Sequence, residues 1–236
     1  MNFDIDFAIR TFPTVLKAAP MTLLIAVISM LLGLLLGFLI TLCRMYKVPV
    51  LNKLAALYVS FIRGTPLLVQ IYVIFFGLPT FINYLNQAMN WHIPVNNISP
   101  LVFALFAFTL NTTAYQSETI RSALSAVDGG QMEAAYSVGM TTLQSFTRII
   151  IPQALVVALP NFGNIFLGLI KGTSLAFAVR VVEILAVAKI EAGDGYKYLE
   201  MYLDASIIYW IMCFLFEKLF ILLENRLKRY KIEITT

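Results

Sequence analysis

Apolar residues gather in five long stretches, near positions 21–43, 54–80, 100–122, 152–170 and 205–223, with polar clusters between them. Each approaches the ~20 residues a helix needs to cross a hydrocarbon core of ~30 Å. None shows the alternation over about ten residues that marks barrel strands. The pattern therefore predicts an all-α membrane protein with about five transmembrane helices, organised as a single transmembrane domain over residues 1–236.

The interruptions carry the detail. Residues 1–20 mix Asp4, Asp6, Arg10 and Lys17 with Phe and Ile, as an interfacial amphipathic segment would, ending at Pro20. The first span, Met21 to Cys43, has no charge, is too long for a signal-peptide core and is followed by no small-residue cleavage site, so it reads as an anchor. Gly33 and Gly37 within it make a GxxxG pair suited to close helix packing. The second span is broken at Gly64-Thr65-Pro66: glycine loosens the helix, Thr65 can cap, and Pro66 suits the first position of a new half-helix. Arg63 falls well inside that span, where a charge must face protein or water. It is either a functional residue or one that snorkels or pairs structurally, with Glu118 as a candidate partner. Residues 81–99 are rich in Asn and read as a loop. In the third span Asn111, Tyr115, Glu118 and Ser122 stand at i, i+4, i+7 and i+11 and share one helical face. Such a face lines a cavity, meets another polar face or sits at the water boundary; the cavity is our reading.

Between the third and fourth spans lies a soluble-looking elbow, residues 128–150. Asp128 with Gln131 has the spacing of an N-cap and capping box, Gly139 suits a helix stop, and Thr141 with Gln144 repeats the box. Residues 176–203, with Arg180, Glu183, Lys189, Glu191 and Asp194, are too charged for a lipid-facing span and read as one or two short helices tucked against the bundle or at its outer mouth.

Composition narrows the class. The chain is 60% hydrophobic and 13% charged with a net charge of +4, and its mean hydropathy is +0.83. Arg44, Lys47, Lys53, Arg121, Arg148, Lys218, Arg226, Lys228, Arg229 and Lys231 fall on one side of the spans; Arg10, Lys17, Lys171, Arg180, Lys189 and Lys197 fall on the other. The positive-inside rule places the larger set in the cytoplasm, the N-terminus outside and the C-terminus inside. Those inner-flank cations account for the net charge, which gives no pointer to nucleic acid. His92 is the lone histidine, and Cys43 and Cys213 sit in apolar spans, so metal and nucleophile chemistry have no donor set. The phosphate-binding pattern G-x-x-x-x-G-K-[ST] is absent.

Glu133-Ala134-Ala135, Gly139 four residues on, and Ile149-Ile150-Ile151-Pro152 resemble the EAA loop of ABC importer permeases, departing mildly where Ile151 replaces a common Leu. Phe61 to Gln70, Thr113 to Arg121, Gly130 to Ala135 and Ile170 to Leu175 extend the likeness over nearly the whole chain, to the polar amino-acid subgroup of type I (MetI-like) importer permeases. The resemblance implies that Glu133, Ala134, Ala135, Gly139 and Met140 form a coupling helix on a separate ATPase, which would hold ATP and Mg while this chain binds no cofactor. It further implies a second permease subunit, two copies of this chain being expected, an extracytoplasmic solute-binding protein and a bacterial cytoplasmic membrane. The expected substrate path is Arg63, Thr65, Gln70, Asn111, Tyr115, Glu118, Lys171 and Ser174, with the half-helix end at Thr65 and Pro66 offering backbone N–H groups to a carboxylate and Glu118, Tyr115 and Asn111 receiving an ammonium. Gly172 stands where the subgroup often has Asp, and the likeness leans toward cystine uptake. The alternative is an ion-coupled secondary transporter or channel, in which the elbow would be merely structural.

Overall fold

The structure, a computed structural model, describes residues 3–235, with side chains for all of these except 96, 194 and 229–235. Asp194, Arg229 and Lys231 of the sequence reading thus lie outside the described side chains. Every regular element is helical among the described residues. In chain order these are α1 (Ile5–Leu16), α2 (Ala19–Met45), α3 (Leu51–Gly64), α4 (Leu67–Met89), α5 (Pro100–Ser125), α6 (Gly130–Ser137), α7 (Thr142–Ser145), α8 (Ile151–Gly172), α9 (Ile184–Gly195) and α10 (Tyr198–Thr235). A π turn, Phe146–Ile150, joins α7 to α8, and a 3-10 helix, Thr173–Val179, follows α8.

Four segments are long and apolar enough to cross a membrane: Ala19–Met45, Leu67–Met89, Thr142–Val179 and Tyr198–Lys228. The expected third span, α5, is not among them because its inner half is polar; that half is largely covered by protein. Of its residues Thr112, Thr113, Gln116 and Ser117 are all buried. It packs parallel to α2 in the most extensive helix pair of the fold. The two glycines make this possible. A Cβ on Gly33 would stand 2.9 Å from the Thr112 Cγ2, and one on Gly37 would stand 3.0 Å from the Ser117 backbone N. Along the same seam Thr41 donates its hydroxyl to the carbonyls of Gly37 and Ser117, both at 2.8 Å, and Gln116 donates to the Met30 carbonyl at 3.1 Å.

The apolar core lies where α2, α5, α8, α9 and α10 meet, around Ile25, Phe108, Ile170, Ile184, Met201 and Ile208. At one end of the bundle the Asp4 carboxylate accepts from the Phe7 N–H at 3.0 Å, which caps α1, and pairs with Lys197 at 3.2 Å; the Asp4 N–H donates to Glu200 at 2.9 Å. At the opposite end Arg44 of α2 meets Glu118 of α5. The chain therefore starts at one end, and α10 runs to the other.

Several boundaries depart from the sequence reading. The helix predicted to finish near 80 continues to Met89, because Ile82 to Met89 keeps a helical supply of apolar residues despite its three polar amides. The last span begins at Tyr198 rather than Ala205: the Asp4 contacts at Lys197 and Glu200 and the burial of Asp204 give the charged start of α10 a protein environment. Residues 176–203 do hold one short helix, α9, and it packs inward.

The Asp4 cap makes the α1 strap sensitive to pH. The Phe7 hydrogen bond, and secondarily the Lys197 ammonium, hold the Asp4 carboxyl below the usual carboxylate range. A lowered folded-state pKa means the stabilisation is fully present above the unfolded value of about 3.9 and is lost as pH falls through the folded one. The protection factors of the Ile5–Leu16 amides, taken against their intrinsic exchange rates, are expected to be flat from neutral pH down to about 4 and to fall below it. In Asp4→Asn, whose amide still caps, that acid step should shrink to the part that Glu200, acceptor of the residue 4 N–H, contributes.

Candidate functional site

The break between α3 and α4 sets the geometry of a polar groove. Pro66 disfavours helical backbone in the residue before it, and Thr65 is extended at φ −121°, ψ 149°. Proline has no N–H, so the Ile62 carbonyl four residues earlier loses its helical partner. Gln70 replaces it: its Nε2 donates to the Ile62 carbonyl at 2.8 Å, the Thr65 carbonyl at 3.1 Å and the Thr65 Oγ1 at 2.9 Å. The Gln70 Oε1 accepts from Asn111 Nδ2 of α5 at 2.9 Å. The side-chain amide of Gln70 is thus engaged at both ends and is 6% exposed, which makes it a bolt between the break and α5. The sequence suggests Thr65 as a cap for the new half-helix. It closes the old one instead, donating to the Phe61 carbonyl at 2.9 Å, because its extended backbone turns the hydroxyl back along α3. The first turn of α4 consequently has no side-chain cap.

Two cavities adjoin this break. One, about 320 Å³, is lined by Thr65, Leu67, Asn111, Thr112, Tyr115, Gly168 and Gly172 among others. The second, about 500 Å³, is lined by Arg44, Ser60, Arg63, Gly64, Tyr115 and Glu118 among others. Tyr115 forms a wall of both, and the Arg63 guanidinium lies over its ring at 5.6 Å from the centroid. Asn111, Tyr115 and Glu118 therefore present one face of α5 to these cavities.

Glu118 is not free to receive an ammonium, nor does it pair with Arg63. Its Oε1 accepts from Arg44 Nη1, and its Oε2 accepts from Arg121 Nε and Nη2 at 3.1 and 2.8 Å. Two guanidiniums neutralise it, and Arg63 remains as a cation on the groove wall. Lys171 and Ser174 line neither cavity: Lys171 is exposed, and the Ser174 hydroxyl donates to the Lys171 carbonyl at 2.8 Å. Gly172 between them does face the groove.

At the end of the bundle that holds Arg44, the elbow folds as two short arms. The expected Asp128 cap does not form: the N-cap of α6 is Gly129, and Asp128 stands one residue before it, accepting from the Gly130 N–H at 2.7 Å in a tight turn that leads into the helix. The expected box with Gln131 does not form, since the Gln131 side chain meets Gln153 at 3.4 Å. The Met140 N–H donates to the Ala135 carbonyl at 3.1 Å and the Gly139 N–H to the Tyr136 carbonyl at 3.0 Å, a Schellman stop with Gly139 at φ +79°. The second capping box is complete: Thr141 N–H to Gln144 Oε1 at 2.9 Å and Gln144 N–H to Thr141 Oγ1 at 3.3 Å. Glu133, Ala134 and Gly139 are exposed and Met140 is half-buried, whereas Ala135 turns inward. The elbow also exposes Tyr136, Val138 at 76% and Leu143 at 73%. Lone apolar residues in a polar loop give no periodic signal in the sequence.

The comparisons agree with this architecture. A family model described as "Binding-protein-dependent transport system inner membrane component" matches residues 29–229. The probable amino-acid permease protein YxeN of Bacillus subtilis (strain 168) is 39% identical over 228 residues, 97% of each chain. The L-cystine transport system permease protein TcyL of the same organism is 37% identical over 234 residues, 99% of this chain and 95% of its own. Among solved structures, an amino acid ABC transporter with histidines superposes at a TM-score of 0.81 with 32% identity, covering 96% of this chain and 100% of that one. On the broken second span, the elbow and these likenesses together, the chain belongs to the binding-protein-dependent inner-membrane transport components and is an amino-acid ABC transporter permease subunit of the type I importer family.

Proposed function

We propose that this chain forms half of the translocation path of an ATP-driven importer for a polar amino acid, with L-cystine as the favoured substrate. The relation to TcyL, an L-cystine permease, supports that choice. In this reading two copies face each other, each elbow docks on one ATPase subunit that carries ATP and Mg, and an extracytoplasmic binding protein delivers the substrate. The elbow end is cytoplasmic, so the N-terminus is outside and the C-terminus inside, as the distribution of Lys and Arg favours. Arg63 and the uncapped N–H groups at the start of α4 attract the substrate carboxylate, the latter aided by the helix dipole.

The observation that carries the coupling is the elbow itself. A rigid two-arm device, capped at Thr141 and stopped at Gly139, holds Tyr136, Val138 and Leu143 out at the end of the bundle that bears the exposed Glu133. ATP closure can drive the path only if the two ATPase states prefer different elbow separations. The test is gentle solubilisation of the native complex followed by identification of what co-purifies. Wild type should retain an ATPase subunit; Glu133→Arg, which reverses a charge on the docking arm, and Gly139→Asp, which strains the positive-φ stop, should each lose most of it. Recovery of no ATPase from wild type, with uptake following an ion gradient in proteoliposomes, would overturn the coupling.

A further inference from the structure

Away from the polar groove, α2, α5 and α8 leave a third cavity of about 420 Å³, walled by Leu31, Phe38, Leu124, Ile151, Leu155 and Phe162 among others. Its lining is apolar throughout. Leu31 and Leu155 are exposed, so the cavity opens sideways between helices that cross the membrane. Along α8 it reaches from Ile151, beside the elbow, to Phe162. That is about 16 Å at 1.5 Å per residue, close to half of a hydrocarbon core of ~30 Å. The cleft is thus about one leaflet deep and has room for one hydrocarbon chain.

Its mouth is basic. Arg148 lies in the turn that leads into α8, three residues before Ile151 and seven before Leu155, and is exposed with no ion pair among the described residues. Arg121 stands in the same layer of α5, three residues before Leu124, its own charge shared with Glu118. Helix backbone cannot supply donors to a phosphate at this depth, because the N–H groups of α8 are taken by its own turns. The guanidinium of Arg148 can.

We propose that this cleft seats one acyl chain of an anionic phospholipid from the leaflet on the elbow side, with the headgroup phosphate on Arg148. The lipid fills the space that α2, α5 and α8 leave unpacked and becomes part of the helix contact next to the elbow.

The native complex is to be reconstituted in nanodiscs with phosphatidylglycerol carrying a diazirine on its acyl chain, irradiated, and its labelled peptides mapped. Label should concentrate on residues 31–38 and 151–162. It should fall about fivefold in Arg148→Glu and for phosphatidylcholine with the same labelled chain, the scale of one basic contact at a membrane surface. Ala154→Phe should abolish the label by filling the floor of the cleft, and Arg148→Glu, a change at an exposed position, keeps the test decisive where Ala154→Phe misfolds. Label spread evenly over all lipid-facing helices, or with no headgroup dependence, would overturn the proposal. So would a disulfide formed between two copies carrying Leu155→Cys, which would assign the cleft to the partner permease.

Discussion

Glu183→Ala is expected to be the most damaging single substitution in the bundle, lowering stability by about 3 kcal/mol and the melting temperature in detergent by about 6–12 °C. Glu183 is fully buried. It begins α9 by accepting from the N–H groups of Leu185 at 3.0 Å and Ala186 at 2.9 Å, and its Oε2 also accepts from the Tyr209 hydroxyl of α10. Losing an N-cap alone costs about 1 kcal/mol. Here the loss also strands a half-buried phenol, a further penalty of about 1–3 kcal/mol. Glu183→Gln, which keeps one acceptor oxygen, should lose less than half as much. In a double-mutant cycle with Tyr209→Phe the effects should be clearly non-additive. Equal melting temperatures for wild type and Glu183→Ala would show that this junction of α9 and α10 contributes nothing.

Gln70→Leu should separate geometry from chemistry in the groove. The substitution keeps side-chain bulk but removes the donor that replaces the missing Pro66 N–H and the acceptor that holds Asn111. The stability loss is expected to be about 2 kcal/mol, from one buried carbonyl and one amide left without partners. Substrate-driven uptake should fall by about tenfold or more, because the break that aims the first turn of α4 is no longer tied to α5. Gln70→Glu is the informative companion. It still accepts from Asn111 but cannot donate to Ile62, so it should fail nearly as badly if the break is what matters and be mild if the link to α5 is. Unchanged uptake in Gln70→Leu would refute the bolt.

These residues also mark how far the sequence can be read. The spans, the break at Thr65-Pro66, the GxxxG seam and the second capping box follow from local rules, and local spacing is enough to state them. The pairing of Glu118 follows only in part: Arg121 at i+3 is a neighbour by local spacing, but Arg44 is 74 residues away in sequence, and nothing in the pattern of either helix says that it would claim the carboxylate before Arg63. Gln70 reads as a path residue because it is polar and lies in a span. Its use as a substitute backbone donor becomes visible only with the Ile62 carbonyl in place. The charges of residues 176–203 exclude a lipid-facing span but leave open whether the segment is tucked against the bundle or at its outer mouth. Glu183 decides it: its charge is absorbed by a helix start and a phenol on another element, and those contacts draw α9 into the core. Lys171 and Ser174 join the path only through their neighbours in sequence, and the residue that reaches the groove is Gly172.

The seam between α2 and α5 has a mechanical consequence. With no Cβ at Gly33 or Gly37 the two backbones are in contact, and Thr41 is bonded to both at once. Sliding one helix along the other would drive the Thr112 side chain and the Ser117 backbone over a glycine rim and break those bonds, so the pair resists shear and behaves as a single strut. The elbow is joined directly to the end of α5 through residues 126–129. A displacement of the elbow is therefore expected to carry the pair as one body, and the place beside it where the chain is already discontinuous is Gly64–Pro66.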